Sequence, residues 1–310
     1  MSLRPITLVG DGIENPGNAL AMIHAAQMWG VSCAFRDTKG LARLDELRAL
    51  GEAFRSTTGG EIQAQHAQII ACDNIPGASE LYGYRPGRGF AVLVGNERRG
   101  LSHECRELAS DAVEIPMQSR RVNCLNVAAA SAVALYYLCG PQVGPMAVRT
   151  DPASRRPELL LVGGGDHVEL GSAIRSAAAF GWQRVLVEDR RQVWFGCDRV
   201  IRSEGRAAAR RGKNDVRLVP WTADATFAFP EVTVITTARL GAPIHRVDLA
   251  RGHRQLVVIA DEIEVDAARE EWARLGLDVR FAHLALPSTE HVYPQGLCVL
   301  WKVPSVCLSY

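Results

Sequence analysis

No two cysteines in this chain have CxxC spacing, although there are eight, at positions 33, 72, 105, 124, 139, 197, 298 and 307. Scattered in this way along a chain of 310 residues, they read as reduced thiols of a cytosolic protein rather than a disulfide framework. No apolar run approaches the roughly 20 residues needed to cross a bilayer. The opening "MSLRPITLVGDGI" has no basic segment followed by a long apolar run, so no signal peptide is expected. Charge of one sign is missing too: the net charge is +1, so no global field attracts a polyanion, and only a local basic patch could do so. Aromatic residues are only 6% of the chain, and they form no run suited to stacking against single-stranded bases. A soluble, cytoplasmic protein with no membrane partner is expected, long enough for two domains with cores of their own.

What the chain does contain is a repeat. "NPGNALAMIHAAQMWG", from Asn15, has a counterpart 151 residues later in "DHVELGSAIRSAAAFGW", from Asp166. Each places a polar turn before a small-residue helix. Short apolar runs such as "RPITLVGD" and "FAVLVGN" read as buried parallel strands, while "NALAMIHAAQMWG" and "LARLDELRALGEAF" read as helices. "VEIP" is a further strand and "VNCLNVAAASAVALYYL" opens another helix. After the Gly/Pro-rich stretch "CGPQVGPMAVRTDPASRRPE" the order restarts: "ELLLVGGG", "LGSAIRSAAAFG" and "RVLVED", then "RQLVVIADE" and "AAREEWARLG" against "GFAVLVGNE" and "LSHECRELA". Glu97 and Glu262 correspond at an offset of 165, so the second copy holds a net insertion of 14 residues. The fold expected is α/β with parallel sheets in two tandem domains, residues 1–142 and 158–310, joined by a linker over 143–157.

Two turns of the first copy can carry chemistry. Gly95-Asn96-Glu97 follows a strand directly, where a glycine either lets a ligand reach the backbone or serves an ordinary turn. Pro116 follows a second strand and leads through a basic loop to Asn126, at the head of a helix that it could simply cap. Together these turns resemble the SpoU/TrmH branch of the SPOUT family, RNA ribose 2′-O-methyltransferases with a trefoil-knotted α/β fold. Three motifs carry the likeness: the Asn-rich turn and helix from Asn15 to His24; Gly95, Asn96, Glu97 and Gly100; and Ile115, Pro116 and Met117 followed by Cys124, Leu125 and Asn126. The resemblance implies a C-terminal trefoil knot in at least the first domain and S-adenosyl-L-methionine as methyl donor. It implies a donor pocket lined by Leu93, Gly95, Asn96, Gly100, Ile115, Met117, Cys124 and Leu125, with Glu97 and Asn126 near the reacting centre.

The first copy departs from the family pattern twice. Cys124 stands where the family has serine, a weaker hydrogen-bonding group of similar size. His24 stands where the family has its catalytic arginine, as a replacement or as a packed core or interface residue. The second copy reverses this: Gly171 and Arg175 match the family where the first copy has Leu20 and His24, while "VLVGNERRG" has become "VVIADEIEV". SpoU-type enzymes pair the donor pocket of one protomer with the arginine of another. The chain is therefore expected to be a monomeric pseudo-dimer, with the donor pocket in its first half and Arg175, as a catalytic residue, in its second. Arg175 would bind the neighbouring phosphate and stabilise charge on the ribose oxygen. No His/Cys cluster has ligand spacing, so no metal is expected.

RNA, a tRNA or rRNA, is the expected partner. Arg120 and Arg121 lie in the basic loop, and Arg199, Arg202, Arg206, Arg210 and Lys213 would share one face of a helix. An alternative reading is a catalytically inactive RNA-binding or scaffold protein of the same family, in which His24 and Cys124 mark lost catalysis. A nicotinamide-binding fold is disfavoured because "GGGDHVELG" lacks GxGxxG spacing.

Overall fold

The structure is a computed structural model. It describes residues 5–119, 121–140, 157–162, 166–189, 191–210, 212–222, 229, 231–236, 241–247, 255–259, 270 and 278–284. They fall into two compact units. The first contains the described residues up to Pro116 together with those from Asn126 to residue 140. The second contains Met117–Leu125 and the described residues from 157 on. Arg120, residues 141–142, residues 143–156 of the expected linker, residues 260–262, and nearly all of "AAREEWARLG" and the C-terminal stretch lie outside the described residues. Among the described residues no helix is long and apolar enough to cross a membrane.

The first unit runs β1 (Thr7–Asp11), α1 (Pro16–Met28), β2 (Ser32–Arg36), α2 (Asp45–Arg48), α3 (Gly59–Gln65), β3 (Gln68–Cys72), β4 (Ser79–Glu80), β5 (Phe90–Gly95), α4 (His103–Leu108), β6 (Asp111–Glu114) and α5 (Val127–Cys139). Its sheet has the order β2-β1-β5-β3-β6-β4, and every pair is parallel. The central strands read "TLVGD" and "FAVLVG" because a parallel sheet is covered on both faces and tolerates no polar stripe. Val9, Ile69, Ala71, Ala91 and Leu93 form one core with Ile62 of α3, Cys105 of α4 and Leu101, which precedes α4. Helices α1 and α5 pack together, and their small or apolar residues are buried nearly all round. Trp29 meets Tyr136 edge to face at 5.8 Å where the pair closes.

The expected continuous helix over "LARLDELRALGEAF" is not found. The segment is a 3₁₀ turn (Leu41–Arg43), the four-residue α2 and a second 3₁₀ turn (Gly51–Ala53). Leu44 is extended, and Gly51 has φ of 54°, so the backbone leaves the helical region twice. Leu41 and Leu47 are still buried, so the leucine spacing reported packing correctly and continuity wrongly.

The second unit runs β7 (Glu158–Leu161), α6 (His167–Ala179), β8 (Arg184–Val187), α7 (Arg199–Ala208), β9 (Arg217–Pro220), β10 (Glu231–Thr236), β11 (Ala242–Pro243), β12 (Gln255–Ile259) and β13 (Asp278–His283). Its sheet order, β11-β13-β10-β12-β7-β8-β9, repeats the first sheet strand for strand: β7 for β1, β8 for β2, β12 for β5, β10 for β3, β13 for β6, β11 for β4. The additional edge strand β9 has a one-residue counterpart in the first unit, the parallel bridge of Phe35 with Ser56. Phe35 and Ser56 are 21 residues apart, whereas their counterparts Val187 and Pro220 are 33 apart. Most of the insertion inferred from the sequence therefore lies here, in the stretch that contains α7.

Helix α7 docks on α6 at a pair of glycines. A Cβ on Gly171 would lie 2.5 Å from the Gly205 carbonyl oxygen and 2.9 Å from the Ala208 Cβ, so only glycine admits this approach. Gly205 thus belongs to the helix contact. The expected basic helix stops at Ala208, and Arg210 adopts a left-handed φ of 50°. Arg210 and Lys213 therefore do not extend the helical face carrying Arg199, Arg202 and Arg206.

Candidate functional site

In the first unit the three motifs meet through one chain of side chains. Asn126 caps α5, its Oδ1 accepting from the Ala128 N–H at 2.9 Å. That leaves its Nδ2 to donate to Asn18 Oδ1 at 3.0 Å. Asn18 must then turn its own Nδ2 outward, and it donates to Glu97 Oε1. The backbone amide at the head of α5 fixes the orientation of every member, and Glu97 is left only the acceptor role of a carboxylate. Asn18 sits in the first turn of α1, where its N–H donates to the capping Asn15 Oδ1 at 3.1 Å. Its part in this chain was missed in the sequence, although its spacing three residues after an N-cap could have drawn attention to it.

The turn after β5 is held from several sides. Asn96 and Gly100 exchange backbone hydrogen bonds of 3.1 and 2.8 Å. The Asn96 Oδ1 accepts from the Arg98 and Arg99 amides, and its Nδ2 donates to the Gly12 carbonyl at 2.8 Å. Beyond Gly100, the Leu101 N–H donates to Asp73 and the Ser102 N–H to Asp11. Asp11 is buried and paired at 3.0 Å with the buried Arg36, which also donates to Glu104 and Ser102. Proximity to these carboxylates and to Cys105 outweighs burial and keeps the Arg36 guanidinium firmly charged. Gly95 is required because a Cβ there would lie 2.1 Å from the Gly100 carbonyl carbon and the Leu101 nitrogen. The close approach at this glycine is made by the protein's own backbone. Leu93 is fully buried in the core with Ile62 and Leu101. Ile115, also in the first unit, is half-buried just beyond β6.

In the second unit Arg175 is placed with the third-motif loop. It is only 6% exposed, and its Nε donates to the Cys124 carbonyl at 2.9 Å. Its Nη2 donates to the Leu125 carbonyl at 2.7 Å and reaches the Cys124 Sγ at 3.0 Å. Cys124, where serine was the family expectation, thus keeps an acceptor for the guanidinium. Met117 and Cys124 are half-buried and Leu125 is buried. Arg121 is exposed and its Nη1 donates to both carboxylate oxygens of the equally exposed Asp215, at 2.9 and 2.6 Å. Arg199, Arg202 and Arg206 are exposed along α7, while Glu204 turns to His167 at 2.8 Å. His24, half-buried on α1, belongs to the first unit. Desolvation, with Asp73 beside it, pushes the Cys72 thiol up to about 12, so it stays protonated at neutral pH. Among the described residues no group of three or more His, Cys, Asp or Glu side chains could hold a metal ion.

The first unit is a parallel α/β sheet in which Glu97, after β5, is joined through Asn18 of α1 to Asn126 at the head of α5. Residues 5–136 match the model of the SpoU rRNA Methylase family, and the match ends before the second copy begins. Comparison with curated proteins gives no match. Among solved structures, the SpoU methyltransferase AviRb from Streptomyces viridochromogenes, in complex with AdoMet, is 21% identical with a TM-score of 0.39, over 44% of this chain and 57% of that one. The TrmH/SpoU tRNA modifying enzyme of A. aeolicus is 22% identical with a TM-score of 0.38, over 43% and 73%. A protein solved for the 2-OH methylation of C/U34 on tRNA is 26% identical with a TM-score of 0.37, over 44% and 94%.

Proposed function

We propose that this protein is an S-adenosylmethionine-dependent RNA methyltransferase that modifies a ribose 2′-hydroxyl in tRNA or rRNA. It would act in the cytoplasm as a single-chain pseudo-dimer of two SPOUT-like domains, residues 1–142 and 158–310, the first carrying the family's trefoil knot. The observation that carries the reading is the Glu97–Asn18–Asn126 chain, which joins all three motifs within the family-matched stretch. The side-chain chemistry supports a methyl donor: Met117 and Cys124 are half-buried, soft side chains outside regular strands, of a kind suited to a thioether.

When bound, the donor supplies a methyl group on a positively charged sulfur, open to in-line displacement by an oxygen nucleophile. The protein's task is then positioning and electrostatics. Glu97, oriented by Asn18, presents its second carboxylate oxygen as hydrogen-bond acceptor for the ribose hydroxyl. Asn126 fixes that orientation through the head of α5. The exposed Arg199, Arg202 and Arg206, with Arg120 and Arg121 of the basic loop, are the proposed phosphate contacts.

Calorimetric titration with S-adenosylhomocysteine should show binding, and mapping of 2′-O-methylation in RNA from cells with and without the gene should show one or more lost sites. Absence of donor binding would refute the proposal. Donor binding with no methylation change on any RNA would instead support an inactive RNA-binding protein with His24 and Cys124 as relics.

A further inference from the structure

Helix α6 holds the third-motif loop at both ends. At its C-terminus the Ala179 carbonyl, one of the groups left without an intrahelical partner, accepts from the Gln118 and Ser119 amides at 2.9 and 3.2 Å. One turn earlier on the same face, Arg175 donates to the Cys124 and Leu125 carbonyls. A Cβ on Gly181 would lie 2.5 Å from the Gln118 side chain, so the chain leaving α6 is also moulded to the start of the loop. The Arg121–Asp215 pair adds a contact at the middle of the loop. All these residues belong to the second unit.

We propose that α6 is the template for the third-motif loop and that Arg175 is a positioning residue acting through the Cys124 and Leu125 carbonyls. The loop that carries Met117, Cys124 and Leu125 in the first half's sequence motif takes its conformation from the second copy. Retention of arginine at this position of the second copy then has a reason apart from contact with RNA. A guanidinium is a planar fork with donors in fixed directions and can hold two successive carbonyls at once, which an ammonium cannot do with the same geometry. Burial raises the requirement further, since a charge so enclosed must be matched by acceptors, here two carbonyl dipoles and a thiol sulfur.

This inference rests on the proposed donor binding, and the experiment separates the two. Arg175→Lys, Arg175→Gln and Arg175→Met are made in the full chain, and each is checked for folding by circular dichroism and thermal unfolding. S-adenosylhomocysteine affinity is then measured by calorimetry. Loss of charge-assisted hydrogen bonds predicts donor affinity weaker by about tenfold or more in Arg175→Met and Arg175→Gln, with partial rescue in Arg175→Lys. A purely structural role would lower the unfolding temperature and leave the affinity of the folded protein unchanged. Wild-type affinity in folded Arg175→Met overturns the inference, as does wild-type affinity in Arg175→Lys should the methionine variant not fold. Failure of the unaltered protein to bind S-adenosylhomocysteine refutes the donor reading itself.

Discussion

Gly95→Ala tests whether the glycine after β5 serves a ligand or the protein's own turn. The added Cβ would sit 2.1 Å from the Gly100 carbonyl carbon and the Leu101 nitrogen and 2.4 Å from the Gly100 oxygen. Relaxed contacts of this kind need about 3.5 Å, so the returning strand of the turn must retreat by more than about 1 Å. That retreat opens the pair of backbone hydrogen bonds between Asn96 and Gly100. It also pulls Leu101 away from Asp73 and out of the core that it shares with Leu93. Overpacking costs about 1–3 kcal/mol and each lost hydrogen bond about 1 kcal/mol, giving about 3 kcal/mol or more in total. For a domain of this size the loss corresponds to a drop in Tm of about 6–12 °C. Thermal unfolding of the donor-free protein, followed by circular dichroism, measures it directly. A Tm within about 2 °C of the unaltered protein would refute the reasoning. A change confined to donor affinity would restore the view that Gly95 exists to admit a ligand.

Asn18→Asp should damage the proposed chemistry more than Asn18→Ala, because it sets a second carboxylate against Glu97, while the alanine only unties Glu97 and Asn126. Loss of methyl transfer by about 100-fold is expected once an RNA substrate is in hand, and equal activity of Asn18→Asp and the unaltered protein would dismiss the chain as incidental. Titration with S-adenosylhomocysteine should give one site per chain, since the second copy reads "ADEIEV" where the first reads "GNERRG"; two equivalent sites would contradict a single-pocket protein. Reversal of Arg199, Arg202 and Arg206 to Glu should weaken RNA binding and reduce its salt slope by up to about 3, with donor affinity unchanged, and an unaltered slope would return α7 to solvated surface.

Features that depend on local pattern were legible from residue order alone. Buried parallel strands show as continuous apolar runs, caps show as Asn15 and Asn126 before small-residue helices, and the repeat shows because both copies place the same residue types at nearly constant offset. Residue order also located the motif residues around Gly95, Ile115 and Asn126. It failed at Leu41–Phe54, where leucine spacing persists although an extended Leu44 and the positive φ of Gly51 break the helix. It could not show which backbone Gly95 admits, because that neighbour, Gly100, is brought back by hydrogen bonds rather than by any pattern. Only the tertiary structure tied Asn18 to both Glu97 and Asn126, which lie 79 and 108 residues away in sequence. Likewise only the fold set the Arg175 guanidinium on the Cys124 and Leu125 carbonyls, across 50 residues and more. Residue type and spacing announce what a side chain can donate or accept; which partner receives it depends on the order in which parallel strands cross over.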